Sequence, residues 1–201
     1  IELPPNLTAW TGVDALTHAL EAYLVPGLNP FCDGAALEAL KLISKWLKVA
    51  FDEPKNINAR GGMLIGSCFA GVAFMKGLGL VHSISHMIGA EYNTQHGLTN
   101  AIILPPVMRF NLPHVGKKVR FISDAMDLKD ASSDLVVKEI EKILDYVDIP
   151  RSLSEIGIPL ECKKRIAEKA MLDSATGTNP RAAQIEDVEE LTEISILSAR
   201  A

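Results

Sequence analysis

Gly12-Val-Asp-Ala-Leu-Thr-His18-Ala-Leu-Glu-Ala-Tyr23 is the stretch that decides the fold of this 201-residue chain. Its apolar residues recur every three or four positions, which is the period of an α-helix with one buried face. That face consists of Val13, Leu16, Ala19, Leu20 and Tyr23. Asp14 and His18 lie four residues apart, so the same helix places a carboxylate beside an imidazole. The stretch therefore predicts a packed helix that carries a candidate pair of metal ligands.

The rest of the chain repeats the helical period. Thr11 predicts the start of the first helix, and Asn29-Pro30 predicts the start of a second. Asn56 to Phe74 predicts a third helix, which is apolar on most sides and is therefore expected to be buried, with Cys68 in the core. Further helices are predicted near 81–90, 98–111, 114–127, 132–147, 159–171 and 184–199. Period-two alternation is nowhere longer than a few residues, so the sequence predicts a single all-α domain over residues 1–201, a helical bundle.

Composition narrows the possible partners. The net charge is −5 and there is no Lys/Arg run longer than three residues, which argues against nucleic acid or an anionic membrane as a partner. Apolar runs such as Ala101–Leu104 are much shorter than a bilayer span. Three widely spaced cysteines and the lack of a signal peptide favour the cytoplasm. The first residue is Ile1, directly before a helix signal, so we expect one part of a longer protein.

Four of the five histidines fall in two segments at metal-ligand spacings. The first segment holds Asp14 and His18. In the second, His82 and His86 are four residues apart on a predicted helix, and His96 follows in a predicted loop. Imidazole together with a carboxylate suits Fe(II), Zn(II), Ni(II) or Co(II). Spacing alone leaves open whether His82 pairs with His86 or with His96. The fifth histidine, His114, is interpreted as a surface or capping residue.

Several separated motifs resemble the iron-containing (group III) alcohol dehydrogenases. They are the stretch from Gly12 to Tyr23, the segment Ala73-Phe-Met-Lys-Gly-Leu-Gly-Leu-Val-His-Ser-Ile-Ser-His86, the segment His96-Gly-Leu-Thr-Asn-Ala101, Leu104-Pro105 and Thr178-Asn-Pro-Arg181. The resemblance follows the whole chain in order. It implies the family's all-helical, metal-binding C-terminal domain, without the N-terminal nucleotide-binding domain. No glycine-rich dinucleotide loop follows a predicted strand here, as that interpretation requires.

Carried over residue by residue, the resemblance makes Asp14, His18, His82 and His96 the metal ligands. It makes His86 a catalytic residue beside the nicotinamide and the substrate, and it places Phe74 in the substrate pocket. The metal would be Fe(II), with Zn(II) as the alternative. The coenzyme of the full-length enzyme would be NAD or NADP, and its substrate a small alcohol or aldehyde.

The activity implied is hydride transfer between NAD(P)H and a carbonyl, with the metal as a Lewis acid on the substrate oxygen. His86 could relay the accompanying proton. We expect a homo-oligomer in the full-length enzyme, and little or no turnover by this chain alone. Two alternatives remain open. One is a metal-binding helical module without redox activity, and the other is a zinc-dependent polyol dehydrogenase similar to the glycerol dehydrogenases. A third possibility is a degenerate domain kept only for oligomerisation. It is less consistent with the sequence, because a domain that binds no metal has no physical need for all five candidate residues, which are Asp14, His18, His82, His86 and His96.

Further side chains near the cluster have simpler interpretations. Glu21 is a solvated helix residue or a hydrogen-bond partner of His18, three residues before it. Asn100 either orients the segment around His96 or satisfies backbone groups. Asn179-Pro-Arg181 is expected to cap the last helix.

Overall fold

The computed structural model describes residues 1–200, and within that range it contains nine α-helices and no β-strand. This confirms the predicted all-α fold. Short 3-10 turns connect some of the helices, including one at Phe74–Lys76. The helices are α1 (Pro5–Leu24), α2 (Pro30–Asp52), α3 (Ile57–Ala73), α4 (Leu80–Tyr92), α5 (His96–Asn111), α6 (Lys118–Ala125), α7 (Ser133–Tyr146), α8 (Lys163–Ala170) and α9 (Ile185–Leu197).

The start of α2 follows its predicted capping signal, whereas the start of α1 does not. Asn29 accepts a hydrogen bond from the Cys32 N–H through its side chain, and Pro30 is the first residue of α2, as predicted. The start of α1 was wrongly predicted at Thr11. The helix begins at Pro5, because a proline at the first position needs no N–H partner. The Thr11 hydroxyl instead donates to the Leu7 carbonyl oxygen inside the helix.

The core is built around α1, which packs against α2, α3 and α5. Helix α4 packs on α5 and α8, and α5 packs on α1, so the segment that carries His82, His86 and His96 meets the helix that carries His18. The interior is aliphatic, and several of its largest side chains are completely buried, among them Leu16, Leu20, Leu40, Ile43, Leu80, Ile84 and Ile103. Burial of this apolar stripe therefore fixes the relative positions of the histidine-bearing helices.

Helix α3 departs from the prediction of a buried helix. Its small residues face α2, whereas Leu64, Ile65 and Phe69 are exposed by 74%, 52% and 37%. Cys68 is likewise exposed rather than in the core. The sequence pattern is apolar on most sides, but only one side finds a partner within this chain.

The expectation that no apolar segment reaches bilayer length does not hold for this region. The segment Ile57–Lys76 is long and apolar enough to cross a membrane by length and composition, and 22% of an 18-residue apolar window within it is buried. Arg60 lies within the segment and bonds to Pro54, Thr8 and Leu3, so this end is tied to the protein by polar contacts.

Candidate metal centre

Helix α1 brings a carboxylate and an imidazole together and fixes the form of the imidazole ring. Nδ1 of His18 lies 2.8 Å from the main-chain oxygen of Asp14. A carbonyl oxygen can only accept a hydrogen bond, so the neutral ring carries its proton on Nδ1. Nε2 of His18 therefore keeps its lone pair and is the atom available to an ion.

Helix α4 presents His82 in the same ring form. Nδ1 of His82 lies 2.6 Å from Oε2 of Glu21, a carboxylate that is 2% exposed. Donation to this carboxylate places the ring proton on Nδ1 and leaves Nε2 free. His82 is itself 1% exposed. His18 and His82 thus come from different helices, and each has its Nε2 atom free to bind the same ion.

The ligand atoms of Asp14, His18 and His82 all lie within 4.8 Å of one another. In a tetrahedral site with bonds of about 2.0–2.3 Å, neighbouring ligand atoms are separated by roughly 3.3–3.8 Å. Small side-chain rotations are therefore enough to bring the three atoms to one ion. Neither His86 nor His96 belongs to this tightest group.

His96 lies immediately beside that group. It is the first residue of α5, not part of a loop as predicted, and its Nε2 lies 3.6 Å from Oδ1 of Asp14. A glycine makes this approach possible: a Cβ at Gly97 would lie 2.4 Å from the main-chain oxygen of Trp10. The start of α5 can touch α1 because this position has no side chain.

Asn100 provides a test of whether the cluster fits a cation. Its Nδ2 lies 2.7 Å from Oδ1 of Asp14, 3.0 Å from Nε2 of His96 and 3.1 Å from Nε2 of His82. The amide has two hydrogens for these three acceptors. Its own Oδ1 is buried without a partner. Lone pairs that converge in this way, beside an orphaned buried oxygen, fit a site for a positive ion.

His86 is held by a different carboxylate and is more exposed. Its Nδ1 lies 2.9 Å from Oδ2 of Asp173, and its side chain is 41% exposed. Its ring stacks on that of His96 with centroids 5.6 Å apart. Burial alone would raise the pKa of Asp173, but hydrogen bonds from the Ala175 N–H and from His86 outweigh it and lower the pKa. Asp173 therefore stays ionised and orients the His86 ring.

Burial keeps two of the histidines in the form that binds metals. It lowers the pKa of His18 below its usual value of 6.5, and the neighbouring His82 lowers this pKa further. Burial also lowers the pKa of His96, although Asp14 opposes the shift. Both rings therefore remain neutral at pH values where an ordinary histidine begins to protonate, as metal binding requires.

A groove between α1 and α3 gives access to the cluster. A cavity of about 180 Å³ opens beside Asp14 and His18, and Phe74 lines it. The Phe74 ring centroid is 5.5 Å from that of His18. A second cavity of about 320 Å³ continues toward the first residues and shares Thr11 and Ala15 with it. The cluster thus lies at one end of a continuous, partly apolar groove.

Sequence reasoning misplaced or missed three polar residues around the cluster. Glu21 contacts His82, not His18, across 61 positions. Asn179 does not cap the last helix, which begins after Gln184. It caps α4 by accepting from the Leu80 N–H, and it pairs with Asn111. Asp173 carries no local signal that points to His86. His114 is exposed, as predicted.

Comparisons with known proteins agree with this arrangement. Residues 8–196 match the profile described as Fe-containing alcohol dehydrogenase family, C-terminal. The chain is 37% identical over 200 residues to the NAD-dependent methanol dehydrogenase of Bacillus methanolicus, covering 95% of this chain and 52% of that protein. It is 38% identical over 196 residues to lactaldehyde reductase of Escherichia coli (strain K12), covering 94% of this chain and 51% of that protein.

The fold also matches a solved structure. The crystal structure of a 1,3-propanediol oxidoreductase superimposes with a TM-score of 0.93 at 33% identity, covering 97% of this chain and 53% of that one. The chain spans about half the length of the curated relatives it matches. From the profile match over nearly all of its length, the chain belongs to the Fe-containing alcohol dehydrogenase family and corresponds to the C-terminal part of its members.

Proposed function

We propose that this chain is the metal-binding, catalytic domain of an NAD(P)-dependent alcohol dehydrogenase or aldehyde reductase. The observation that carries the proposal is the convergence of Asp14, His18 and His82 within 4.8 Å at the end of an open groove. Family membership supports the oxidoreductase class, and the carboxylate–imidazole chemistry supports a divalent metal.

We propose His96, not His86, as the fourth ligand. Its Nε2 shares the amide of Asn100 with Nε2 of His82 and lies 3.6 Å from the Asp14 carboxylate. His86 has no comparable contact with the other ligand atoms, and Asp173 holds its Nδ1. Three neutral imidazoles and one carboxylate suit Fe(II) and also Zn(II), so we assign Fe(II) on the family match and keep Zn(II) as the alternative.

A divalent ion held by these residues would supply a Lewis acid for the oxygen of a small alcohol or aldehyde. The residues of the chain would do the rest. Phe74 would form an apolar wall of the substrate pocket beside His18. His86 would hold the proton that leaves or joins the substrate oxygen during hydride transfer, because its Nε2 is free and its ring reaches solvent.

The coenzyme would be bound mainly by a second domain. Residues 1–200 contain no strand, so they lack the strand–helix–strand unit that usually binds a dinucleotide. The Bacillus methanolicus relative is NAD-dependent by name, and its length is about twice that of the matched region. We therefore propose NAD or NADP as the coenzyme, with a nucleotide-binding domain facing the groove between α1 and α3.

Metal content tests the ligand assignment. After anaerobic loading with Fe(II) or Zn(II), we expect about one metal per chain by elemental mass spectrometry. His82→Ala and His96→Ala should lose the metal, whereas His86→Ala should keep it. Equal loss in His82→Ala and His86→Ala would reject the ligand set and make the helical pair the ligands.

Turnover tests the reaction class in the protein joined to its nucleotide-binding domain. The metal-loaded enzyme should oxidise NADH or NADPH when given a short aldehyde, and His86→Ala should lower kcat with its metal retained. A protein that binds metal but shows no coenzyme oxidation with aldehydes or ketones would instead support the non-redox module. Activity with Zn(II) on glycerol-like polyols alone would support the zinc-dependent alternative.

A further inference from the structure

We infer that Glu21 is a positioning residue of the metal centre: its carboxylate holds His82 in the ring form and orientation that expose Nε2 to the ion. The inference rests on the metal function proposed above and adds a residue outside the proposed ligand set. The partner of Glu21 also differs from the one expected from the sequence. His18, three residues away, was expected, whereas the observed partner is His82.

The carboxylate of Glu21 makes two hydrogen bonds, both to the start of α4. Oε1 accepts from the main-chain N–H of Val81 at 2.8 Å, and Oε2 accepts from Nδ1 of His82 at 2.6 Å. The side chains of Glu21 and His82 are each 1% exposed. Within residues 1–200, His82 is the only side chain that forms an ion-pair contact with this carboxylate. A buried acid with this single side-chain partner is well placed to act through His82.

The two contacts require a carboxylate and not its amide. Both groups that face Glu21 are donors when His82 carries its proton on Nδ1, so both oxygens must accept. An amide offers one acceptor and one donor. If its NH₂ faced His82, the ring proton would move to Nε2 and block the atom meant for the metal. If its NH₂ faced Val81, two donors would oppose each other.

The charge of Glu21 also suits this position. It lies at the start of α4, where unpaired N–H groups create a positive potential. Asp14 and Glu21 together balance a divalent ion, and a carboxylate behind a ligating imidazole increases the basicity of the metal-binding nitrogen. Gly79 leaves the necessary space, because a Cβ there would lie 2.9 Å from Oε1 of Glu21.

Asn179 provides a matched control on the same helix end. Its Oδ1 accepts from the Leu80 N–H at 3.2 Å, one residue before the contact made by Glu21. Unlike Glu21, it makes no hydrogen bond to His82 and bonds instead to Asn111 and Arg181. A variant of Asn179 therefore weakens the cap of α4 without removing the acceptor for His82.

The experiment compares Glu21→Gln, Glu21→Asp and Asn179→Ala with the wild type. Nitrogen-15 NMR of the metal-free chain, with the His82 signal assigned from a His82→Asn variant, reports which ring nitrogen carries the proton. Zn²⁺ affinity is measured by competition with a chromophoric chelator. We expect His82 to change from the Nδ1–H to the Nε2–H form in Glu21→Gln, with Zn²⁺ binding about 10–100-fold weaker.

The controls separate positioning from general stability. Glu21→Asp keeps two acceptors and should recover part of the lost affinity, while Asn179→Ala should bind Zn²⁺ within about threefold of the wild type despite a lower melting temperature. An unchanged His82 ring form in Glu21→Gln, or equal affinity losses in Glu21→Gln and Asn179→Ala, would overturn the inference. Failure of the wild type to bind either Zn²⁺ or Fe(II) would overturn the proposed function. The NMR result would still test the contact between Glu21 and His82.

Discussion

At the residue scale, the Asn100 side chain lies where the acceptor atoms of several candidate metal ligands converge. Its NH₂ group lies among Asp14, His82 and His96, and its carbonyl oxygen is buried without a partner. An unsatisfied buried acceptor costs about 1–3 kcal/mol. The metal-free cluster is therefore held together by an amide that satisfies its neighbours incompletely.

Asn100→Asp should make the metal-free chain less stable and the effect of metal larger. The new carboxylate would face Asp14 at about the distance of the present hydrogen bond, and an uncompensated buried charge costs about 3 kcal/mol. A divalent ion would offset much of that repulsion. Urea unfolding with and without Zn²⁺ measures both the stability of the metal-free chain and the stabilisation that the metal adds. Asn58→Asp, the same change at an exposed position, should alter neither, and an equal metal effect in both variants would contradict the prediction.

The lowered pKa of His18 and of His96 predicts how metal-free stability depends on pH. In the unfolded chain both rings protonate around their usual value of 6.5, whereas burial delays this in the folded protein. Below about pH 6.5 the unfolded chain binds more protons, so the free energy of unfolding should fall as the pH drops from 7.5 to 5.5. His18→Asn should flatten this slope in urea titrations. A slope that His18→Asn does not alter would refute the assignment.

At the element scale, the contact between the start of α5 and α1 decides where His96 lies. The helix starts at His96, with Gln95 accepting from the Leu98 N–H at 2.6 Å. Gly97 then faces the backbone of Trp10 with no room for a Cβ. Capping fixes the first turn of α5, and the glycine allows that turn to approach Asp14.

Gly97→Ala should therefore destabilise the protein and weaken metal binding together. The added methyl group meets main-chain atoms that cannot rotate away, and overpacking of this kind costs about 1–3 kcal/mol. Separation of α5 from α1 would also move His96 from Asp14. Thermal melting and Zn²⁺ competition check the two effects. Gly61→Ala, at a helical position with open space around it, should be neutral or slightly stabilising. Wild-type Zn²⁺ affinity in Gly97→Ala would show that α5 can shift without consequence.

At the scale of the whole molecule, the exposed side of α3 is the main apolar surface near the groove. Leu64 and Ile65 are more than half exposed, and Leu64 also lines the cavity near the chain's first residues. Apolar patches of this kind mark contact surfaces. We propose that this face contacts the nucleotide-binding domain. The homo-oligomer expected for the full-length enzyme and the low turnover expected for the isolated chain both remain predictions.

The isolated chain should self-associate through this face at high concentration. Leu64→Gln combined with Ile65→Gln should reduce association in sedimentation experiments without lowering the melting temperature, because neither side chain is in the core. Leu172→Gln removes another exposed leucine, 88% exposed and away from α3, and should have no effect. Association that persists in the double variant would assign the contact to another surface.

Local sequence patterns were sufficient to predict most of the helices and the candidate metal ligands of this protein. The helical period of the first stretch, the Asn29-Pro30 cap and the i,i+4 spacing of Asp14 with His18 each concern neighbours within one or two turns, where the backbone geometry of a helix dictates proximity. The sequence by itself therefore determined the all-α fold, most helix positions and the residues from which a metal site could be built.

Only the tertiary structure decided which of these residues meet. Glu21 lies against His82 and Asp173 against His86 although 61 and 87 positions separate them, because packing of α1, α4 and the segment after α8 brings them together. The exposure of one face of α3 could not be predicted from the sequence either. An apolar pattern indicates that a helix face is buried in a contact, but it does not show whether this chain provides that contact. Contacts between distant segments depend on how helices pack, and the spacing of residues along the chain carries no direct record of that.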